Sequence, residues 1–474
     1  MGSAGPQNGP EALFSNPAFL HNTDAGHSFV LHLPGGSAEL GGGLFNVPVY
    51  NRYLTQNRVL TAEMQRKMLD QWFPDGRNSR ETAGFEAGLT GGGLSYTAGR
   101  HSFGLAHMLR FTGHANTRRG VLEAGLGGLN QDFFAEPTPL DGSFSAALFT
   151  QISAGYSIRL LQETRSFVFG RPLEIYAGAA PSLLLGHQGL KADLRSRLQI
   201  EGDSLLRHQF SYELHTHGRF SRQLQEFAAA KEGSGARENP DLSTFIDRPF
   251  ANRSEVAGYG FGLNLGLHAN VGLSPDFLKA AFFGSGPREI HLSLALSDLG
   301  HARFSSDAAR FTHSDVLEWR GVNLDERWIN QEFEGNADDY IDYVLQDSLG
   351  SDTYLSYESS PHAQTRIALP TRLHLATQLR AGRAAAGLAF TKGFNSSGLN
   401  SKRLAVATNM EYSTLHWLIL RSGLRAGGSQ PGRFDSGLGI RTRRFEIDSS
   451  LSTTFNPENG GSWYGFSLAS RLKF

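Results

Sequence analysis

The stretch FSAALFTQISAGYSIRL, Phe144 to Leu160, decides the fold. Alternate residues form one face: Phe144, Ala146, Leu148, Thr150, Ile152, Ala154, Tyr156, Ile158 and Leu160. The opposite face carries Ser145, Ala147, Phe149, Gln151, Ser153, Gly155, Ser157 and Arg159, polar or small at every position but Phe149. A period of two belongs to a strand with one apolar and one polar side. The run also exceeds the ~9 to 11 residues that a tilted strand needs to cross a bilayer.

The same alternation recurs along the chain. Tyr259, Phe261, Leu263, Leu265 and Leu267 oppose Gly260, Gly262, Asn264, Gly266 and His268, and Ile290, Leu292, Leu294 and Leu296 oppose His291, Ser293, Ala295 and Ser297. Similar faces occur at Leu373 to Leu379, Leu404 to Tyr412, Phe434 to Ile440 and Phe445 to Phe455. The last strand carries Phe466, Leu468, Ser470, Leu472 and Phe474 and ends on that aromatic residue. A soluble antiparallel sandwich also alternates. Long runs and an aromatic terminal strand, which resembles the signal read by the bacterial outer-membrane assembly machinery, favour an all-β transmembrane antiparallel barrel.

Composition fits that class. Glycine contributes 56 of 474 residues, too many for a helical bundle, and 33 phenylalanines supply apolar bulk although charged residues are only 19%. The net charge of -1 gives no bulk attraction for nucleic acid. With no cysteine, disulfide frameworks, thiolate metal sites and cysteine nucleophiles are excluded. No secretory signal is read in Met1-Gly2-Ser3-Ala4-Gly5-Pro6. Val256 to Pro275 is free of charged residues, but its five glycines, Asn264, His268 and Asn270 mark a strand and turn rather than a membrane helix.

With Phe474 on the periplasmic side, the turns near Ala381 to Arg383, Ser413 and Arg441 to Arg444 are periplasmic. The connections Gly393 to Ser401, Ala426 to Gly432 and Asn456 to Ser462 are then extracellular, with long outer insertions at 219–257 and 300–370. Lys191 to Ile200 and Ser204 to His215 read either as wall strands or as an outer hairpin. The count is about fourteen strands, with about sixteen as the alternative.

Some segments depart from the period. Leu60, Met64, Met68 and Trp72 have helical spacing behind Thr61 as a cap, stopped by Pro74-Asp75-Gly76, and a second helix start is read at Asn336 to Asp339. Asp298 to Asp352 contains thirteen acidic and four basic residues, read as a solvated outer segment or a cap for a cation or partner. Gly233 to Pro240 reads as a loop tip. Residues 1–26 do not alternate and form an N-terminal segment, a lumenal plug or a tail, before the barrel of 27–474.

No catalytic signature is present: His-Glu-x-x-His, the phosphate-binding loop and Gly-x-Ser-x-Gly are all absent. Gly258, Gly260 and Gly262 lie within a strand and do not form a dinucleotide loop. His215 and His217 share a face but have no third metal ligand, so neither metal nor cofactor is expected. The sequons at Asn252 and Asn395 carry little meaning if the host is a bacterium. Gln151, Arg159, Asn264, His268, His291 and Asp298 are expected to face the lumen, with Asp298 either orienting a polar network or ending its strand.

Gly9-Pro10-Glu11-Ala12-Leu13-Phe14-Ser15-Asn16-Pro17-Ala18 resembles the opening of the FadL-like outer-membrane barrels, where an Asn-Pro-Ala box lies in an N-terminal hatch. Leu294-Ala295-Leu296-Ser297-Asp298-Leu299-Gly300 is similar to a strand ending in Asp-Leu-Gly of PorV-like and related uncharacterised Bacteroidota-type barrels, as is Leu369-Pro370-Thr371-Arg372-Leu373. The resemblance implies about fourteen strands, a lumenal plug and hatch residues Asn16, Pro17 and Ala18. It also implies passive transport of hydrophobic or amphipathic molecules as in FadL. The alternative is a PorV-like scaffold that docks a secreted or surface protein, as in type IX secretion. The acidic insertion departs from the simple transporter plan. The expected protein is therefore a monomeric, non-enzymatic barrel of the bacterial outer membrane, in contact with its lipid. A lipid- or peptide-acting barrel enzyme using His313 or His362 is the least favoured reading.

Overall fold

The computed structural model describes residues 9–21, 28–55, 59–127, 131–164, 172–202, 205–234, 255–274, 288–320, 358–361, 364–428, 432–454 and 461–474. Strands β1 (Phe29–His32) and β2 (Gly35–Gly42) lead through helices α1 (Val47–Tyr53) and α2 (Ala62–Trp72) to β3 (Arg80–Ala98) and β4 (His101–Arg118). Helices α3 (Arg119–Gly127) and α4 (Gln131–Phe134) and a short β5 (Thr138–Pro139) precede β6 (Gly142–Glu163), β7 (Leu173–Glu201) and β8 (Leu205–His217). Helix α5 (Arg219–Ser234) is followed by β9 (Gly258–Gly272), β10 (Arg288–Phe304), β11 (Ala309–Trp319), β12 (Glu358–Pro361), β13 (Thr365–Ala368) and β14 (Arg372–Ala381). Six further strands complete the chain: β15 (Ala384–Gly393), β16 (Ala405–Ser413), β17 (Leu418–Gly427), β18 (Arg433–Arg441), β19 (Phe445–Thr454) and β20 (Ser462–Lys473).

The wall is a closed antiparallel barrel with fourteen strand positions. The pair β1 and β2 fills one position, hydrogen-bonded to β3 on one side and to β20 on the other. The pair β13 and β14 fills another, against β10. Closure removes the free edges that an open sheet would present to lipid. The outward face is apolar around the circumference: Leu105, Phe261, Leu375, Met410, Leu451 and Phe466 all remain exposed, Met410 at 66% and Phe466 at 49%. A soluble sandwich would bury such a face, whereas a lipid-facing wall leaves it outward. No helix among the described residues is long and apolar enough to cross a membrane.

The short turns collect at one end of the barrel. Gly99-Arg100 joins β3 to β4 and Gly382-Arg383 joins β14 to β15; each glycine has positive φ, which a tight two-residue hairpin requires. The longest connections lie at the other end, where α1, α2 and α3 pack through Val49, Tyr53, Met68, Leu69, Phe73, Leu122 and Leu126. The helix expected behind Thr61 is α2, and the Thr61 hydroxyl accepts the Met64 N–H at 3.3 Å. Helices α1, α3 and α5 escape the sequence reading.

Strand β7 resolves the ambiguity before residue 220. Its first half pairs with β9 in the wall, and its second half pairs with β8 in a hairpin beyond the rim. Strand β8 pairs with β11, and β11 with β12, so a second sheet grows from the end of β7. The outer insertion thus begins near β8 rather than at 219, and 219–257 is not wholly loop, because α5 packs beside Ala309 and Phe311. The expected 300–370 loop also shrinks: residues 300–304 and 365–368 are wall strand. The expected loop tip at 233–240 begins inside α5, whose last residues are Gly233 and Ser234; its remainder, the expected helix at 336, the sequon at Asn252, His362 and most of the acidic stretch lie outside the described residues.

Asp298 does not end its strand. The register of β10 against β9 shifts between Leu296 and Leu299, and Asp298 has φ of 56°. Ser297 and Asp298 are both buried, two successive inward residues, as in a β-bulge. The strand then continues to Phe304.

Candidate functional site

Residues 9–21 lie inside the barrel as two short 3-10 turns, Pro10–Phe14 and Pro17–Leu20. Proline starts each turn, where its fixed φ fits and its missing N–H costs nothing. Between them Asn16 caps the second turn: its Oδ1 accepts the Ala18 N–H at 3.0 Å, and its Nδ2 donates to the Leu267 carbonyl of β9 at 3.2 Å. The Ala18 carbonyl accepts from Ser157 at 3.3 Å. Asn264 donates to the Leu13 carbonyl at 2.6 Å and accepts the Asp298 N–H at 2.6 Å. Asn16, Pro17 and Ala18 are therefore all in the lumen, held by the strands that the alternation identified.

The bed beneath this segment is made of glycine. Leu13 and Leu20 are fully buried, and each lies over Gly104 and Gly155. A Cβ at Gly155 would overlap the Leu13 side chain, one at Gly178 would sit 2.5 Å from the Ala18 nitrogen, and one at Gly266 would overlap Asn16 Oδ1. Ala106 and Ala180 complete the apolar contact with Ala12, Leu13, Phe19 and Leu20. Inward glycine therefore makes room for chain that is remote in sequence.

Toward the short-turn end, Phe19 meets His268 at 4.7 Å between ring centres, and His21 meets Tyr176 at 4.5 Å. His268 Nε2 lies 3.0 Å from His291 Nδ1, and His291 Nε2 lies 3.1 Å from Glu289. Arg159, also inward, approaches Glu174 at 3.7 Å. A cavity of about 460 Å³ adjoins this cluster, lined by Glu174, Asn270, Arg288 and Glu289 among others. Higher in the lumen, Arg110 grips Asp298 through two bonds of 2.7 and 3.1 Å and donates to Gln151 at 2.9 Å. The six expected lumenal residues thus all face inward, but in two groups. Asn264, Asp298 and Gln151 form one network; His268 and His291, with Arg159 nearby, belong to the other.

The opposite wall carries a ladder of charge that the sequence reading did not single out. Arg441, Glu446, Arg471 and Asp448 follow one another at 2.9, 3.0 and 2.9 Å, then Arg421 joins Asp448 to Glu411. Glu11 of the lumenal segment joins this ladder through Arg471 at 3.3 Å and pairs with His32 at 2.6 Å. Arg433 meets Glu39 and Asp435 at 3.3 and 2.7 Å, and Arg372 meets Glu86. The signal was available, since all these residues sit at inward parity in alternating strands.

The residues 32–442 match a family described as a family of unknown function, DUF5723. The chain belongs to DUF5723. No curated protein matches it. Among solved structures, this DUF5723 chain is similar to the Pseudomonas putida toluene transporter TodX, with TM-score 0.44, 10% identity and coverage of 100% of this chain and 96% of that one. A Pseudomonas aeruginosa FadL homologue gives TM-score 0.42 and 12% identity, with coverage of 100% and 96%. A deletion mutant of TodX, a monoaromatic hydrocarbon channel, gives TM-score 0.46 and 9% identity, with coverage of 98% and 93%.

The remaining candidates do not assemble. His215 pairs with Glu213 at 2.6 Å, while buried His217 stacks on Phe304 at 5.6 Å. No group of three metal-ligating side chains occurs among the described residues. His313 on β11 faces Phe210 and Tyr212, and Asn395 donates to the Leu369 carbonyl.

Proposed function

We propose that the protein is a passive channel of the bacterial outer membrane for amphipathic small molecules, with residues 1–26 as a displaceable plug. The observation that carries this reading is the seating of residues 9–21 in the lumen: apolar side chains rest on a glycine bed, fixed by a few directional bonds. One lumenal wall is small and apolar where the plug sits, and the facing wall is charged. A solute with an apolar body and a polar end finds a surface for each. The exposed apolar outer face and the closed wall support insertion in a membrane of the type that accepts barrels. The short-turn end then faces the periplasm.

Deleting residues 1–26 and measuring solute flux into liposomes tests the plug. A severalfold rise in flux is expected; flux equal to that of the intact chain removes this role. A second reading, a docking barrel of the PorV kind for a secreted or surface protein, is favoured by the sheet of β8, β11 and β12 that rises from β7 beyond the wall. Removing residues 305–361 would abolish partner capture under that reading and leave flux intact.

A further inference from the structure

Arg110, Arg372, Arg421 and Arg433 of the lumen each meet a carboxylate: Arg110 meets Asp298, Arg372 meets Glu86, Arg421 meets Glu411 and Asp448, and Arg433 meets Glu39 and Asp435. Arg425 of β17 differs. Its register, opposite Ala407 on one side and Arg433 on the other, turns it inward, and it forms no ion pair or side-chain hydrogen bond among the described residues. With Arg372, Arg403, Asn400, Leu399 and Trp463 it lines a gap at the long-connection end of the lumen. Arg433 lies over the Trp463 ring at 5.1 Å. Four guanidinium groups, Arg372, Arg403, Arg425 and Arg433, thus share a neighbourhood with the three carboxylates Glu39, Glu86 and Asp435. A half-buried cation among like charges is held at a cost unless a counter-charge completes the site.

We propose that Arg425 anchors an oxyanion-binding site in the outer part of the lumen, taking a carboxylate, sulfate or phosphate group as a free ion or as the head of an amphipathic solute. Guanidinium supplies paired N–H donors that match such a group. The gap is small, about 20 Å³, so it admits the end of a head group rather than a whole solute. Leu399 and Trp463 offer apolar surface to whatever adjoins that end. The head-group form rests on the channel reading, but equilibrium binding in detergent fails or succeeds independently of flux.

The test is calorimetric titration of the full chain, folded in dodecyl maltoside, with inorganic phosphate, decanoate and decanol. Binding of phosphate or decanoate is expected, with an affinity loss of roughly tenfold or more in Arg425→Gln and a smaller loss in Arg425→Lys, which keeps charge but not the fork. Phosphate binding as tightly as decanoate assigns a free ion; decanoate binding more tightly than phosphate, with no binding of decanol, assigns a head group. Arg403→Gln, altering an exposed side chain, is expected to weaken binding severalfold and serves if Arg425 variants fail to close the barrel. The proposal is overturned if the folded wild type binds neither anion, or if the variants bind as the wild type does.

Discussion

The two sides of the lumen solve the same packing problem in opposite ways. Strands β4, β6, β7 and β9 present Gly104, Gly155, Gly178 and Gly266, and the space left by their missing side chains is filled by residues 12–20. Strands β16 to β20 present long charged side chains that fill their own space by pairing with one another. The first wall is complete only with another piece of chain upon it; the ladder of the second braces itself from strand to strand. Under the proposed channel reading, the wall that depends on the segment is the one that opens. A wall cross-braced by ion pairs is suited to staying still.

The contrast breaks first at Gly155. Gly155→Leu would occupy the place of the Leu13 side chain, and unseating Leu13 and Leu20 forfeits roughly 3–6 kcal/mol of apolar burial. The expected result is a barrel that still migrates as closed on a gel but whose N-terminus is cut rapidly by protease; an uncut N-terminus would mean the bed does not hold the plug. Next is Arg110→Gln, which strands the buried Asp298 carboxylate and is expected to cost about 3–5 kcal/mol in urea unfolding. Pairing it with Asp298→Asn should recover a good part of that loss, and no recovery would place the cost elsewhere. Glu11→Gln weakens the one ion-pair link, among the described residues, between the lumenal segment and the charged wall, with about 1–3 kcal/mol expected in release of the segment measured by hydrogen exchange of residues 9–21. Smallest is Thr61→Ala, a lost helix cap worth about 1 kcal/mol, expected to leave flux unchanged.

The wall was legible in the sequence wherever two-residue alternation ran unbroken, as in β6 and β9. It misled where a bulge put two successive residues inward: at Ser297 and Asp298 the apolar set changes parity, so a period-two reading sees an end in a strand that continues. The doubled use of β7 was equally hidden, because both of its halves alternate while pairing with different partners. Asn16, Pro17 and Ala18 came from resemblance to a hatch motif, and inward glycine was visible without its purpose. Periodicity tells which way a side chain points; it does not tell which residue, 188 positions away in the case of Arg110 and Asp298, it will meet.

The contact between Glu11 and Arg471, 460 positions apart, also bears on the order of assembly. The seam of the barrel joins its first strands to its last, β1 and β2 to β20, and Arg471 lies on that last strand. Until the C-terminal strand docks, the cylinder is an open curl and Glu11 has His32 beside it but not Arg471. Closing a loop of nearly the whole chain is the slowest contact to form. The same event that seals the seam therefore adds the last tie to the segment inside it: β6 and β9 can hold Leu13, Asn16 and Ala18 beforehand, and the finished cylinder adds Arg471.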